Sequence, residues 1–300
     1  MTNQISSEQR NRLLRWASTA SIIVALVLVL TKIIAWWLSD SVSLLASLID
    51  SLMDVGASMI NFFAIRYALK PADDDHRFGH GKAEALASLM QSFLIAASAC
   101  FLMFYAIERI AHPRDLTQES IALSVMAFSL VLTLSLVAFQ RYVVSKTKSS
   151  AIAADSLHYV SDILSNVAII AALVLSVYGY VEADAYIGIA IALYIAYSAY
   201  HIAREASDLL LDKELDEGVR EQIGEAVMSV DGVYGYHDLR TRQSGGATFI
   251  QLHLELPDNM PLIEAHSIAD RVEKRVKALF AEAEVLVHQD PKSIAPTEHD

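Results

Sequence analysis

Asp50 and Asp54 stand four residues apart in "DSLMD", and His158 and Asp162 stand four apart in "DSLHYVSDILSN". In a helix, side chains at i and i+4 lie one above the other, so each pair occupies a single face. Both stretches are otherwise apolar. An ionised carboxylate in hydrocarbon costs a few kcal/mol even on insertion scales, so such groups mark a function. With a second helix from near Ser41 and a fifth from near Ser149, a rise of ~1.5 Å per residue puts all four groups within several Å of mid-depth, where they can share one site. Three carboxylates and an imidazole suit Zn²⁺ in tetrahedral geometry; Fe²⁺, Co²⁺ and Cd²⁺ are compatible, Ca²⁺ and Mg²⁺ less so. Cys100 is the only cysteine, which excludes a thiolate cage, an iron–sulfur cluster and an intrachain disulfide, so nitrogen and oxygen must hold any metal. The HExxH arrangement of a metalloprotease is absent and no carboxylate outside the four is placed as a general base, which speaks against an enzyme.

Two further sets of donors lie elsewhere. "PADDDHRFGHGK" brings Asp73, His76 and His80 within eight residues, a spacing that lets one metal be held with a fourth position open; Asp74 and Asp75 are alternatives to Asp73. Past residue 213, His237, His253, His266 and His288 account for four of the chain's ten histidines, and Asp290 shares a strand face with His288.

The elements that must position these groups follow from hydropathy. The 300 residues are 54% hydrophobic and 19% charged, with a mean hydropathy of +0.37, too apolar for an ordinary soluble domain. Six windows are long enough to cross a hydrocarbon core of roughly 30 Å: 15–38, 42–66, 84–108, 118–141, 150–178 and 184–206. Arg10, Arg12 and Arg15 before the first window resemble the start of a signal peptide. The apolar run nevertheless continues into "KIIAWWLSD" without a small-residue cleavage site, which predicts a retained helix. Lys and Arg gather beside one set of span ends (Arg66, Lys70, Arg77, Lys82, Arg141, Lys146, Lys148, Arg204), against Arg109 and Arg114 at the other, so both termini are expected in the cytoplasm.

The expected division is a cytoplasmic segment 1–14, a six-helix α-helical transmembrane bundle over 15–208, a cytoplasmic α+β domain over 209–292 and a flexible tail 293–300. Residues 216–229, 233–243, 247–256, 261–280 and 284–290 predict helix, strand, strand, helix and strand, an αββαβ unit of ferredoxin-like or metallochaperone-like form. Ile250, Leu252, Leu254 and Leu256 alternate with Gln251, His253 and Glu255, which sets the two faces of the middle strand. From residue 213 onward, 17 Asp and Glu against 9 Lys and Arg carry −8 of the chain's −12. An acidic domain facing an anionic leaflet binds neither nucleic acid nor lipid headgroups, but suits cations.

The paired "D50xxxD54" and "H158xxxD162" in spans two and five of six, with "PADDDHRFGHGKAEALA", "LHYVSD", "HDLRTRQSG" and "HQDP", resemble the cation diffusion facilitator family, and within it the bacterial zinc and iron efflux pumps. The resemblance covers nearly the whole chain. It implies proton-coupled export of divalent metal by a homodimer embedded in the lipid of the bacterial inner membrane, with Zn²⁺ foremost and Fe²⁺ or Cd²⁺ as other cargo. It further implies a second zinc position at Asp73, His76 and His80, a cytoplasmic binuclear site at His237, His253, His266, His288 and Asp290, and no organic cofactor. Three ionised carboxylates at mid-depth cannot be left empty, so metal and protons are expected to compete for them. The alternative is a metal-gated sensor or channel without proton coupling.

Overall fold

The computed structural model describes residues 6–39, 42–111, 120–177, 183–280 and 282–294. Six long helices come first: α1 (Ser7–Ser39), α2 (Val42–Ala68), α3 (Lys82–Ala111), α4 (Ser120–Thr147), α5 (Ser150–Val177) and α6 (Ala183–Leu210). The shortest has 27 residues, ~40 Å at 1.5 Å per residue, which exceeds the hydrocarbon thickness. Among the described residues, Ser7–Leu38, Lys82–Glu108, Ser124–Thr147 and Tyr186–Leu210 are long and apolar enough to cross a membrane. α2 carries Asp50 and Asp54, and α5 carries His158 and Asp162.

The bundle is apolar outside and small or polar inside. Trp37, Phe63, Phe93, Phe101, Phe104, Val131 and Tyr197 are exposed on its outer faces, while Ser18, Ser21, Ser58, Ser88, Ala99, Ala154 and Ala199 are buried. Small residues let backbones approach where lipid removes the usual hydrophobic drive. Ile95 and Ala99 of α3 pack against Ile195 and Ala199 of α6 in this way.

α1 begins eight residues before the apolar window, and Leu14 is fully buried. The reason is a capping box: Gln9 N–H donates to Ser6 Oγ (3.2 Å) and Ser6 N–H to Gln9 Oε1 (3.3 Å), satisfying donors a helix start would leave unpaired. A hydropathy window cannot register that polar turn.

The second part contains α7 (Glu217–Met228), β1 (Gly235–Ser244), β2 (Ala247–Leu256), α8 (Leu262–Lys277) and β3 (Ala283–Pro291), the expected αββαβ order. Its sheet runs β1-β2-β3, with β1/β2 antiparallel and β2/β3 parallel across α8. Ile250, Leu252, Leu254 and Leu256 of β2 pack on Ala265, Ile268, Ala269, Val272 and Val276 of α8 and on Ile223 and Val227 of α7. That leaves the opposite face of β2, with His253, to polar groups.

At the junction of the two parts, a Cβ on Gly81 would fall 2.6 Å from the Ser244 carbonyl, so the start of α3 sits directly on the β1–β2 turn. Lys82 Nζ (3.0 Å) and Arg242 Nη1 (3.3 Å) both reach Asp212 Oδ1 beside it. Burial would raise the Asp212 pKa, but these two cations more than offset that and hold it below its ordinary value.

Candidate metal centres

The first centre lies inside the bundle. His158 Nε2 is 3.0 Å from Asp54 Oδ1, with side-chain exposures of 13% and 10%, which puts the pair out of bulk water. One donor atom each from Asp54, His158 and Asp162 lies within 4.8 Å of the others. A tetrahedral Zn²⁺ with bonds of ~2.0–2.1 Å has its ligand atoms ~3.3 Å apart, so modest side-chain adjustment closes three donors on one ion. The backbone of Asp50 lies in α2 one turn before Asp54; its side chain lies outside the described residues. Below the cluster, Tyr159 Oη and Ser58 Oγ share a hydrogen bond of 2.8 Å between α5 and α2.

The second centre is in the α2–α3 loop. Asp73 Oδ1 accepts from the backbone N–H groups of His76 (2.7 Å) and Asp75 (3.1 Å) and lies 3.2 Å from His76 Nδ1, while Asp73 Oδ2 lies 3.3 Å from His80 Nε2. The His76 amide bond, chiefly, holds the Asp73 carboxyl below its usual pKa. Asp74 instead turns to Arg77 at 3.3 Å, so of the three consecutive aspartates it is Asp73 that meets the histidines. His80 is buried under the Tyr67 ring, centroids 4.6 Å apart.

The third centre is on the polar face of the sheet. Asp290 of β3 is its hub: Oδ2 lies 2.7 Å from His253 Nδ1 and 3.4 Å from His237 Nε2, and Oδ1 lies 3.2 Å from His288 Nε2. Strand register explains the meeting, since His237 pairs with His253 and His253 with His288 across neighbouring strands. A shift in register between His237 and Arg240, with Asp238 at φ +47°, turns Asp238 toward His253 Nε2 (3.8 Å). His266 is not brought to this group within one chain. It sits on α8, which covers the opposite, apolar face, and its nearest acidic partner is Asp270 at 3.8 Å.

Two groups were not singled out by spacing. Glu255 Oε1 takes the Nδ1–H of His237 at 3.0 Å, which leaves Nε2 to face Asp290 and fixes the ring as a second-layer partner of a ligand does. Asp155, three residues before His158 on the same helix, is fully buried and accepts from Ser21 Oγ (2.6 Å), Gln140 Nε2 (2.7 Å) and Gln91 Nε2 (3.1 Å). The i, i+3, i+7 spacing of Asp155, His158 and Asp162 was the available signal.

Residues 18–211 match the cation efflux transmembrane domain and residues 215–292 match the cytoplasmic domain of cation efflux proteins. A membrane helix bundle with buried acid–imidazole donors, joined to a small α+β domain with more of them, thus belongs to the cation efflux family, a family of transporters. Among its relatives, the cation-efflux pumps FieF of Salmonella choleraesuis (strain SC-B67) and Salmonella arizonae are each 48% identical over 287 residues, spanning 96% of this chain and 96% of theirs. The MamM CTD in its nickel form is 26% identical over 25% of this chain and 98% of its own, at a TM-score of 0.24.

Proposed function

We propose that the chain exports a divalent transition metal, Zn²⁺ foremost and also Fe²⁺ or Cd²⁺, from the cytoplasm in exchange for protons, with Asp50, Asp54, His158 and Asp162 as the transport ligands. The observation that carries this is the meeting of Asp54, His158 and Asp162 inside the bundle, from two helices, at ligand-like separations. Buried charges without partners are strongly disfavoured, so the site is occupied by metal or by protons in any state that reorients. Metal binds only deprotonated ligands, hence each loading releases protons and each return carries them.

Asp73, His76 and His80 form a second metal position at the cytoplasmic end. His237, His253, His288 and Asp290 form a third, which joins two copies of the cytoplasmic domain. Because His266 faces away from its own chain's cluster, its imidazole serves that centre from the second copy of a homodimer. The bundle lies in the bacterial inner membrane with both termini in the cytoplasm, an orientation that the distribution of Lys and Arg supports.

The test is zinc-driven pH change in sealed proteoliposomes. Zinc flux accompanied by stoichiometric counterflow of protons is expected; zinc flux with no proton movement would replace the antiporter with a metal-gated pore.

A further inference from the structure

Beyond the three metal clusters, the bundle holds a continuous buried polar seam to which the exchange of metal for protons assigns no role. On α3, Glu84, Ser88 and Gln91 fall at i, i+4 and i+7 and are all buried. On α2, Asp54, Ser58 and Asn61 repeat that spacing and are likewise buried. Asp155 lies between the two rows. Gln91 Nε2 donates to its Oδ1, and Asn61 faces it without a hydrogen bond of normal length. The row on α3 ends at Glu84, which pairs with Arg10 at 3.2 Å, two residues past Lys82 and next to the cytoplasmic domain.

Ser88 Oγ and Gln140 Oε1 have no hydrogen-bond partner in the protein, and the Asn61 amide, which faces Asp155, makes no bond of normal length through either of its two atoms. A buried polar atom left unsatisfied costs roughly 1–3 kcal/mol, so such atoms in one seam call for a purpose other than packing. Such groups suit a file of water or a moving proton. Asp155 is the only carboxyl among Ser21, Gln91 and Gln140, the groups that bond it from α1, α3 and α4, and none of those three titrates. Its titratable neighbours are His158 and Tyr159 on its own helix, with Asp54 beyond Asn61 on α2. A rise of ~1.5 Å per residue places it ~4.5 Å from His158 along α5, toward the end at Ser150.

We propose that Asp155 is a proton-relay site for the exchange, connecting the intramembrane metal site to the cytoplasmic end of α3; this rests on the antiport reading above. When metal displaces a proton from a ligand, that proton passes along the seam to an Asp155 oxygen, and the carboxylate becomes a carboxylic acid. The same proton then leaves through Gln91 and Ser88, bridged by water, to Glu84 and the cytoplasm. Charge and proton number balance at each step, and the metal need not share its route.

The experiment uses full-length protein in proteoliposomes and follows both zinc binding and the rate of proton release on mixing with zinc. In Asp155→Asn, zinc affinity stays near wild type while proton release slows by roughly 10²-fold, the lower end for loss of a positioned proton-transfer group. Asn61→Leu removes an amide that faces Asp155 but makes no hydrogen bond of normal length, so the variant should fold and should also slow release. Release at the wild-type rate in Asn61→Leu, or in a folded Asp155→Asn, overturns the relay. So does a slowing in Asp155→Asn that follows lost zinc affinity, because that marks a purely structural role. A wild-type protein that binds zinc and releases no proton refutes the antiport reading itself, whereas proton release that is fast in wild type and equally fast in both variants refutes only the relay.

Discussion

Replacing Asp54 with Ala should abolish transport without unfolding the protein, and the structure sets the size of both effects. Four-ligand zinc sites in small peptides are worth about 10–16 kcal/mol, so one ligand contributes about 2.5–4 kcal/mol, or roughly 10²–10³-fold in affinity. Stability moves far less. The Asp54–His158 contact at 3.0 Å is lost, about 1.5–3 kcal/mol for a charged hydrogen bond. The same change removes a carboxylate whose placement at mid-membrane costs about 2.5–3.5 kcal/mol, and the two nearly cancel. The assay is zinc titration in a background carrying His80→Ala and Asp290→Ala, so that only the bundle site reports, with thermal unfolding in parallel. A dissociation constant within about threefold of the background protein, well short of one lost ligand, would refute the assignment of Asp54.

His158→Asp should turn the site into an all-oxygen set and move its preference toward harder ions such as Mn²⁺; an unchanged ranking in competition titrations would contradict a ligand role for His158. Asp290→Ala removes the carboxylate shared by His237, His253 and His288, and should lower the metal content of the cytoplasmic domain and weaken zinc-dependent dimerisation, measured by metal analysis and sedimentation. Gly81→Ala drives a Cβ into the backbone of Ser244 and Gly245 (2.6–2.8 Å), which must separate the start of α3 from the β1–β2 turn at a cost of about 1–3 kcal/mol. Unchanged proteolysis at that junction would refute the close packing. The depressed pKa of Asp212 means its link to Lys82 and Arg242 is present above the unfolded value of 3.8 and lost as pH falls through the lower folded one. Asp212→Asn should therefore raise hydrogen exchange at the junction equally from pH 5 to pH 8, and an effect confined to one end of that range would point to another group.

The six long helices and the cytoplasmic domain were legible because their signals extend over many residues. Apolar windows of twenty residues admit few alternatives, and the alternation from Ile250 to Leu256 declared which face of β2 is core. The meeting of Asp54, His158 and Asp162 was legible because charge in an apolar run has few explanations; the Asp50 side chain lies outside the described residues. Choices between adjacent groups were less so. Which of Asp73, Asp74 and Asp75 meets the histidines depends on two backbone N–H bonds and on Arg77, set by loop geometry that spacing does not encode. His266 is close in sequence to the sheet histidines, yet α8 lays its apolar stripe on the other side of β2, a tertiary fact. Asp155 was in view, inside the same apolar run as His158, but its hydrogen-bonded setting depends on Ser21, Gln91 and Gln140 arriving from three other helices.

The three clusters share one donor chemistry and differ in how they meet water, and that difference separates their roles. Asp73 and His76 are about half exposed, so the loop cluster can lose its metal and let solvent take over the charge at little cost. Asp290 is less exposed, but its neighbours are imidazoles, and three histidines around one carboxylate can shed metal and stay hydrogen-bonded to it. The bundle cluster has neither escape. Its acids outnumber its imidazole, and with His158 and Asp54 nearly closed to solvent the charge left by a departing metal meets little water to stabilise it. On the proposed antiport, only there does removing the metal oblige protons to arrive, which ties the proposed proton coupling to the site with the least water and leaves the two outer clusters able to bind the same ions without being driven by them.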